Sequence, residues 1–203
     1  QLILDLLDQM AAYKLNKLHL HMADDEGWRL EIAGLPELTE VGSKRCHDLA
    51  EDNCLLPQLG SGPHSDTKVN GYYSKADYIE ILQFAADRQI QVIPSMDMPG
   101  HSRAAIKSME SRYRKLTKQG LTAEAEQYLL SDSRDKTVYS SVQYYDDNTL
   151  NVCMESTFTF IDKVIDEIAE LHKTAGVPLT LYHIGADETA GAWLQSPVCK
   201  AFI

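Results

Sequence analysis

The chain has 203 residues, 44% of them hydrophobic and 24% charged, which is enough for one domain with a substantial core and is ordinary for a soluble globular protein. Acidic residues number 30 against 19 basic ones, a net charge of −11, which argues against nucleic acid or an anionic membrane as the main partner. No apolar run approaches the roughly 20 residues of a membrane helix, and no signal peptide is visible at Gln1, although the chain opens inside a helical pattern, as it would if an upstream segment had been removed.

Residues 2–15 place Leu2, Leu6, Leu7, Met10 and Ala11 at helical spacing. Residues 18–22 alternate as a short strand, and the acidic stretch Asp24, Asp25, Glu26 follows. Residues 34–73, rich in Gly, Pro, Ser and Asp, read as one long excursion. Ser74 is a good N-cap, with Asp77 three residues on as an approximate capping box, for a helix to about Arg88. A second strand at 91–95 ends in Met-Asp-Met-Pro-Gly-His-Ser. A polar helix over 102–120 and a second excursion over 121–150 come next. Residues 156–174 predict an amphipathic helix with Phe160, Val164, Ile168 and Leu171 on one face, stopped at Gly176. A third strand is expected at 179–184. Strands alternating with helices imply parallel strands with crossover helices, an α/β fold. The long segments after the strands fall where barrel enzymes keep their functional loops.

Cys46 and Cys54 flank a loop-like segment that a disulfide could close, and Cys153 and Cys199 could then form a second bridge; four free thiols are the alternative. No pair has the Cys-x-x-Cys spacing of a zinc or redox site.

Three strand ends carry polar groups: His19, His21, Asp24, Asp25, Glu26 and Trp28 at the first, Asp97 and His101 at the second, His183, Asp187 and Glu188 at the third. In a parallel sheet these ends share one side, so the groups converge. Any one cluster alone reads equally well as a satisfied polar network. Asp187 and Glu188 are adjacent, and consecutive strand residues point to opposite faces. They are therefore poorly placed to straddle one glycosidic bond at the ~5 Å of an ordinary acid–nucleophile pair. One could protonate a leaving group while the other acts beside the scissile bond, which suits a substrate that supplies its own nucleophile. Pro99-Gly100 forces a turn that aims His101. Trp28 is either an aromatic face against a sugar or core. A metal-dependent barrel hydrolase, with His19, His21, His183 and Asp187 as ligands, and a non-catalytic sugar-binding module are the competing readings.

Four segments carry a family resemblance: Tyr-Lys-Leu-Asn-Lys-Leu-His-Leu-His (13–21), Asp-Asp-Glu-Gly-Trp-Arg-Leu-Glu-Ile (24–32), Val-Ile-Pro-Ser-Met-Asp-Met-Pro-Gly-His-Ser (92–102) and His-Ile-Gly-Ala-Asp-Glu (183–188). Together they resemble glycoside hydrolase family 20, the β-N-acetylhexosaminidases, and look closest to bacterial chitobiases. The resemblance implies part of a (β/α)8 TIM barrel: about strands two to four with their helices and long loops, so that residues 1–203 form a partial catalytic domain lacking the first strand and the last four. It implies a retaining, substrate-assisted hydrolysis of terminal non-reducing N-acetylglucosamine from chitooligosaccharides, with no metal or organic cofactor. Glu188 corresponds to the general acid and base, and Asp187 to the residue that orients and polarises the 2-acetamido group. Asp24 and His101 correspond to the pair that tunes the acid. Asp97, Trp28 and His183 are carried as substrate-binding candidates. The family's sugar-gripping arginine, tryptophan walls and acetamido-holding tyrosine are expected outside this stretch. On that basis the isolated chain is expected to be inactive, to associate with itself through exposed half-barrel surface, and to derive from a periplasmic, outer-membrane-associated or secreted protein.

Overall fold

The computed structural model describes residues 1–203 apart from Leu59, Asp187, Ala190 and Ile203. Strand β1 (Lys17–Asp24) buries Leu18, Leu20 and Met22 and exposes Lys17, His19 and His21, the alternation of a strand with one face in the core. Strand β3 (Gln91–Met98) lies parallel to β1, pairing Leu18 with Val92 and Leu20 with Pro94. Strand β4 (His183–Gly185) lies parallel to β3, and the two-residue β2 (Gly27–Trp28) folds back antiparallel on β1. The sheet order is β2-β1-β3-β4. His19, His21, Ser95, Asp97 and His183 thus fall on the face opposite the apolar one.

Helices fill the crossovers. α1 (Leu2–Ala12) precedes β1, and α2 (Glu37–Glu40) with α3 (Lys75–Ala86) lies between β1 and β3. α4 (Arg103–Lys118), α5 (Thr122–Glu126) and α6 (Glu155–Thr174) follow β3, and α7 (Pro197–Phe202) follows β4. The capping box is present: the Ser74 hydroxyl accepts from Asp77 N at 3.1 Å and the Asp77 carboxylate accepts from Ser74 N at 2.8 Å. Phe160, Val164, Ile168 and Leu171 form the buried stripe of α6 and pack into one core with Leu7, Tyr78, Leu82, Leu20 and Met22. The result is an α/β domain built on a partial parallel sheet, as in part of a TIM barrel.

Three boundaries differ from the sequence reading. The first helix stops at Ala12 because Lys14 turns left-handed, at φ 60°. β3 continues three residues further, to Met98. The third strand keeps only His183–Gly185: its ladder to β3 pairs Ser95 with His183 and Met98 with Gly185 and is irregular between them.

Two disulfides pin the chain, one inside the first excursion and one from just after the second excursion to α7. They join Cys46 to Cys54 and Cys153 to Cys199. The second spans 46 residues against 8 and so constrains the unfolded chain more.

One buried pair gives the fold a pH dependence. His172 is 1% exposed; its Nδ1 lies 3.0 Å from Val177 O and its Nε2 3.0 Å from the Tyr78 hydroxyl. The ring therefore donates to the carbonyl and accepts from the phenol as a neutral imidazole. Burial holds its pKa below the ordinary value, against the opposing pull of the Val177 carbonyl. The unfolded chain, with a histidine pKa of about 6.5, takes up the proton first. Its contribution is intact above about pH 6.5 and is lost as the pH falls through the depressed folded value. Urea unfolding at pH 7.5 and pH 5 is expected to show a fall in midpoint that shrinks in His172→Gln. An unchanged fall would remove His172 as its source.

Candidate active site

The three strand ends meet at the imidazole of His101. β3 leads into the turn Pro99-Gly100-His101-Ser102, whose Met98–Pro99 bond is cis. His101 sits at φ 52°, a left-handed conformation that a non-glycine residue holds only where its surroundings fix it. Here the Ser102 hydroxyl donates to Asp97 O at 2.7 Å and to Gly100 O at 3.1 Å. From outside the turn, Ser102 N donates to Asn148 O at 2.9 Å and Leu150 N to Pro99 O at 2.8 Å.

The ring so held is buried. Its Nε2 lies 3.1 Å from Glu188 Oε2, and its Nδ1 lies 3.1 Å from Asp25 Oδ2 and 3.5 Å from Asp24 Oδ1. Asp25 is only 1% exposed. Its Oδ1 accepts from Arg103 N, the first residue of α4, at 3.1 Å, and its Oδ2 accepts from Asn148 Nδ2 at 2.9 Å. A carboxylate at a helix N-terminus meets unpaired N–H groups and the positive end of the helix dipole. Even so, burial, helped by the charge of Asp24, pushes the Asp25 pKa up, against the lowering effects of Asn148, the Arg103 N–H and His101.

This is a carboxylate–imidazole–carboxylate line. With Nδ1–H donated to the acids of the first strand end, Nε2 is left to exchange one proton with Glu188. Glu188 O–H can donate to a neutral ring, or an imidazolium N–H can donate to the Glu188 carboxylate. The Glu188 side chain is one-third exposed, so the end of the line that could meet a ligand is the acid, while histidine and Asp25 stay covered.

The remaining expected residues distribute around this line. Asp24 does approach His101, but its hydrogen bond goes to His21 Nε2 at 3.0 Å, and Asp25 makes the shorter contact with the ring. Asp97 is 13% exposed, with His21 Nδ1 3.8 Å from its Oδ1. Gly185 supports it: the glycine is at φ 68°, and a Cβ there would collide with the Asp97 carboxylate, so His-Ile-Gly-Ala-Asp-Glu needs its glycine. His183 packs its ring against His19, with centroids 4.6 Å apart, and its Nδ1 accepts from Gly185 N at 3.1 Å. Asp187 lies outside the described residues.

Of the two readings of Trp28 the structure bears out core, which removes it from the substrate-binding candidates. It is 2% exposed, stands edge-on to Phe160 with ring centroids 6.0 Å apart, and spends its indole N–H on Leu30 O at 2.6 Å. β2 turns it into the helix-covered core, so it offers no face to a sugar. The metal set is also rearranged: among the described residues, the groups that converge are His21, Asp24 and Asp97, and Asp24, Asp25 and His101, rather than His19, His21 and His183, and the fourth expected ligand, Asp187, lies outside the described residues. In the second, His101 Nδ1 faces both carboxylates; in the first, His21 Nε2 bonds Asp24 at 3.0 Å and its Nδ1 stands 3.8 Å from Asp97.

Sequence reasoning missed the support beneath the line. Arg103 donates from Nη1 and Nη2 to the two Glu51 oxygens at 2.8 and 2.7 Å, and from Nε to Asp147 Oδ1 at 2.8 Å. Its pKa is raised: burial would lower it, and the two carboxylates outweigh that. One side chain thus ties both excursions to the start of α4. At the rim, the Tyr145 hydroxyl donates to Glu26 Oε1 at 2.9 Å and accepts from Gln58 Nε2.

Residues 1–203 match the family profile described as glycosyl hydrolase family 20, catalytic domain. A β-hexosaminidase of Vibrio vulnificus is 64% identical over 98% of this chain and 24% of its own length. An N,N'-diacetylchitobiase of Vibrio harveyi is 59% identical over 92% of this chain and 21% of its own. The crystal structure of a Vibrio harveyi exo-β-N-acetylglucosaminidase of this family, in complex with N-acetylglucosamine, superposes with a TM-score of 0.80 at 38% identity, covering 98% of this chain and 27% of the other. The chain thus spans about a quarter of the length of the relatives it matches.

Proposed function

The chain belongs to glycosyl hydrolase family 20, and from that premise we propose that it carries the proton-transfer machinery of a chitobiase-like β-N-acetylhexosaminidase, which releases terminal non-reducing N-acetylglucosamine from chitooligosaccharides. The observation that carries the reading is the 3.1 Å contact of Glu188 with His101, itself backed by a buried carboxylate.

Glu188 gives its proton to the glycosidic oxygen as the C1–O bond breaks. The substrate's 2-acetamido oxygen bonds to C1 in the same step and forms a cyclic oxazolinium. Glu188, now a carboxylate, takes a proton from the water that attacks C1, the ring reopens, and the β configuration is kept. His101 holds the acid in place and exchanges charge with it through both steps, which is how a positioned acid–base group lowers a barrier. Asp187 is assigned to the acetamido group on family grounds. The two adjacent acids then have separate tasks, which answers the problem their adjacency poses for a two-carboxylate displacement.

The catalytic domain of which this chain forms part is a (β/α)8 barrel in this reading, with residues 1–203 supplying about its second to fourth strands. The two disulfides support an oxidising compartment, whether periplasmic, outer-membrane-associated or secreted.

The test compares two chromogenic substrates with the full natural protein: a β-N-acetylglucosaminide and the matching β-glucoside, whose 2-hydroxyl replaces the acetamido group. Turnover of the first alone, with the β anomer as the initial product, is expected. Equal turnover of both would overturn the substrate-assisted reading.

A further inference from the structure

We propose that Asn148 is a positioning residue for the reaction: it straps the His101 turn from the second excursion and, through Asp25, sets the geometry and charge with which His101 meets Glu188. The inference rests on the function proposed above.

Asn148 is fully buried, and all of its polar groups are engaged. Its backbone O accepts from Ser102 N, next to His101. Its Nδ2 reaches past the turn to Asp25 Oδ2 at 2.9 Å, the same oxygen that lies 3.1 Å from His101 Nδ1. Its Oδ1 and its backbone N both meet the Tyr139 hydroxyl, at 3.2 and 2.8 Å. Thr149 N donates to that hydroxyl as well, at 3.1 Å, and Leu150 N closes the strap on Pro99 O. One residue therefore grips both the backbone that holds His101 left-handed and the carboxylate behind its ring.

The amide type matters. Asn148 Nδ2 is a neutral donor to a carboxylate that burial already disfavours as an anion. A hydrophobic residue there would leave Asp25 to take up a proton more readily. A protonated Asp25 removes the nearer negative partner on the Nδ1 side of the imidazole and leaves Asp24 at 3.5 Å, so the line to Glu188 is more weakly anchored. The ionisable groups that interact with Asp25 are Asp24 beside it, His101 across the turn and Tyr145 from the second excursion. None of them is a cation that could replace the lost donor, save His101 itself when protonated.

The experiment measures kcat, KM and the pH profile of kcat/KM for Asn148→Ala and Asn148→Asp in the full natural protein, with a chromogenic N-acetylglucosaminide. Loss of one hydrogen bond to a charged group predicts a fall in kcat of about tenfold with little change in KM. In both variants the acidic limb should move to higher pH: alanine removes the donor, and aspartate faces Asp25 with a second carboxylate that cannot ionise alongside it. Asn148→Asp is isosteric and carries the test if the alanine variant does not fold. A purely structural role would lower activity at every pH without moving the limb, and an unmoved limb in the folded variant or variants overturns the proposal. Glu188→Gln, assayed alongside on chitobiose, whose leaving sugar needs a proton, separates the two claims: if it retains full turnover there, the functional reading fails, whatever Asn148 does.

Discussion

Replacing Glu188 by glutamine is expected to lower kcat on a chitooligosaccharide by about 10²–10⁴-fold, the range that positioned acid–base groups contribute. Glutamine keeps the size of the side chain and its place near His101, but it has no proton to give the glycosidic oxygen and cannot take one from water. Binding should survive, because the change removes a proton rather than a contact surface. The checks are steady-state turnover and calorimetric titration with N-acetylglucosamine. A variant that binds and turns over normally would remove Glu188 from the chemistry. His101→Ala should follow the same direction, since the acid then loses the contact that orients it.

The second large effect is on stability. Arg103 is almost fully buried, forms a bidentate pair with Glu51 and bonds Asp147, which also receives Lys107 Nζ at 2.9 Å. Arg103→Met keeps much of the side chain's bulk but leaves Glu51, 5% exposed and at φ 50°, as a buried carboxylate that keeps the Leu56 N–H at 2.9 Å and loses its guanidinium. Breaking one side of a buried pair costs about 3–5 kcal/mol, a large part of the 5–15 kcal/mol of a typical domain. Urea unfolding should show that loss, and Arg103→Met combined with Glu51→Leu should recover much of it, because the orphaned charge is then gone. A loss below about 1 kcal/mol in the single variant would mean water reaches the pair and the clamp holds little. Because the Arg103 backbone N–H also binds Asp25, loosening the start of α4 should reach the active site as well as the fold.

What was legible in the sequence follows the range of the forces involved. The α6 stripe from Phe160 to Leu171, the Ser74–Asp77 box and the alternation of β1 are local patterns, set by residues within a turn or two of one another, and they read directly. The edges read less well. Residues 179–182 are as apolar as a strand should be, but a strand is defined by its neighbours, and β4 is paired irregularly with β3. Trp28 sits among acids in the sequence, yet the two-residue β2 turns its ring into the core, away from them. Asp24 and Asp25 are equivalent as letters; only the placement of α4 decides which of them caps its N-terminus and lies against His101. The contacts of Asn148 with Asp25 and of Arg103 with Glu51 join residues 123 and 52 positions apart, so no local pattern announces them. The convergence of His101 and Glu188 was legible because parallel strands put their ends on one side, a rule of topology rather than of local pattern.

The central claim is that Glu188, held by His101 and Asp25, delivers a proton to the leaving group. The most direct measurement compares two substrates of Glu188→Gln in the first turnover, before the second step matters. One is a 2,4-dinitrophenyl N-acetylglucosaminide, whose leaving group departs without a proton; the other is chitobiose, whose leaving sugar needs one. The account predicts that release of dinitrophenolate stays close to the unmodified rate while cleavage of chitobiose falls by about 10²–10⁴-fold. An equal loss on both substrates would contradict it, because the group removed would then be supporting the site rather than protonating the leaving oxygen.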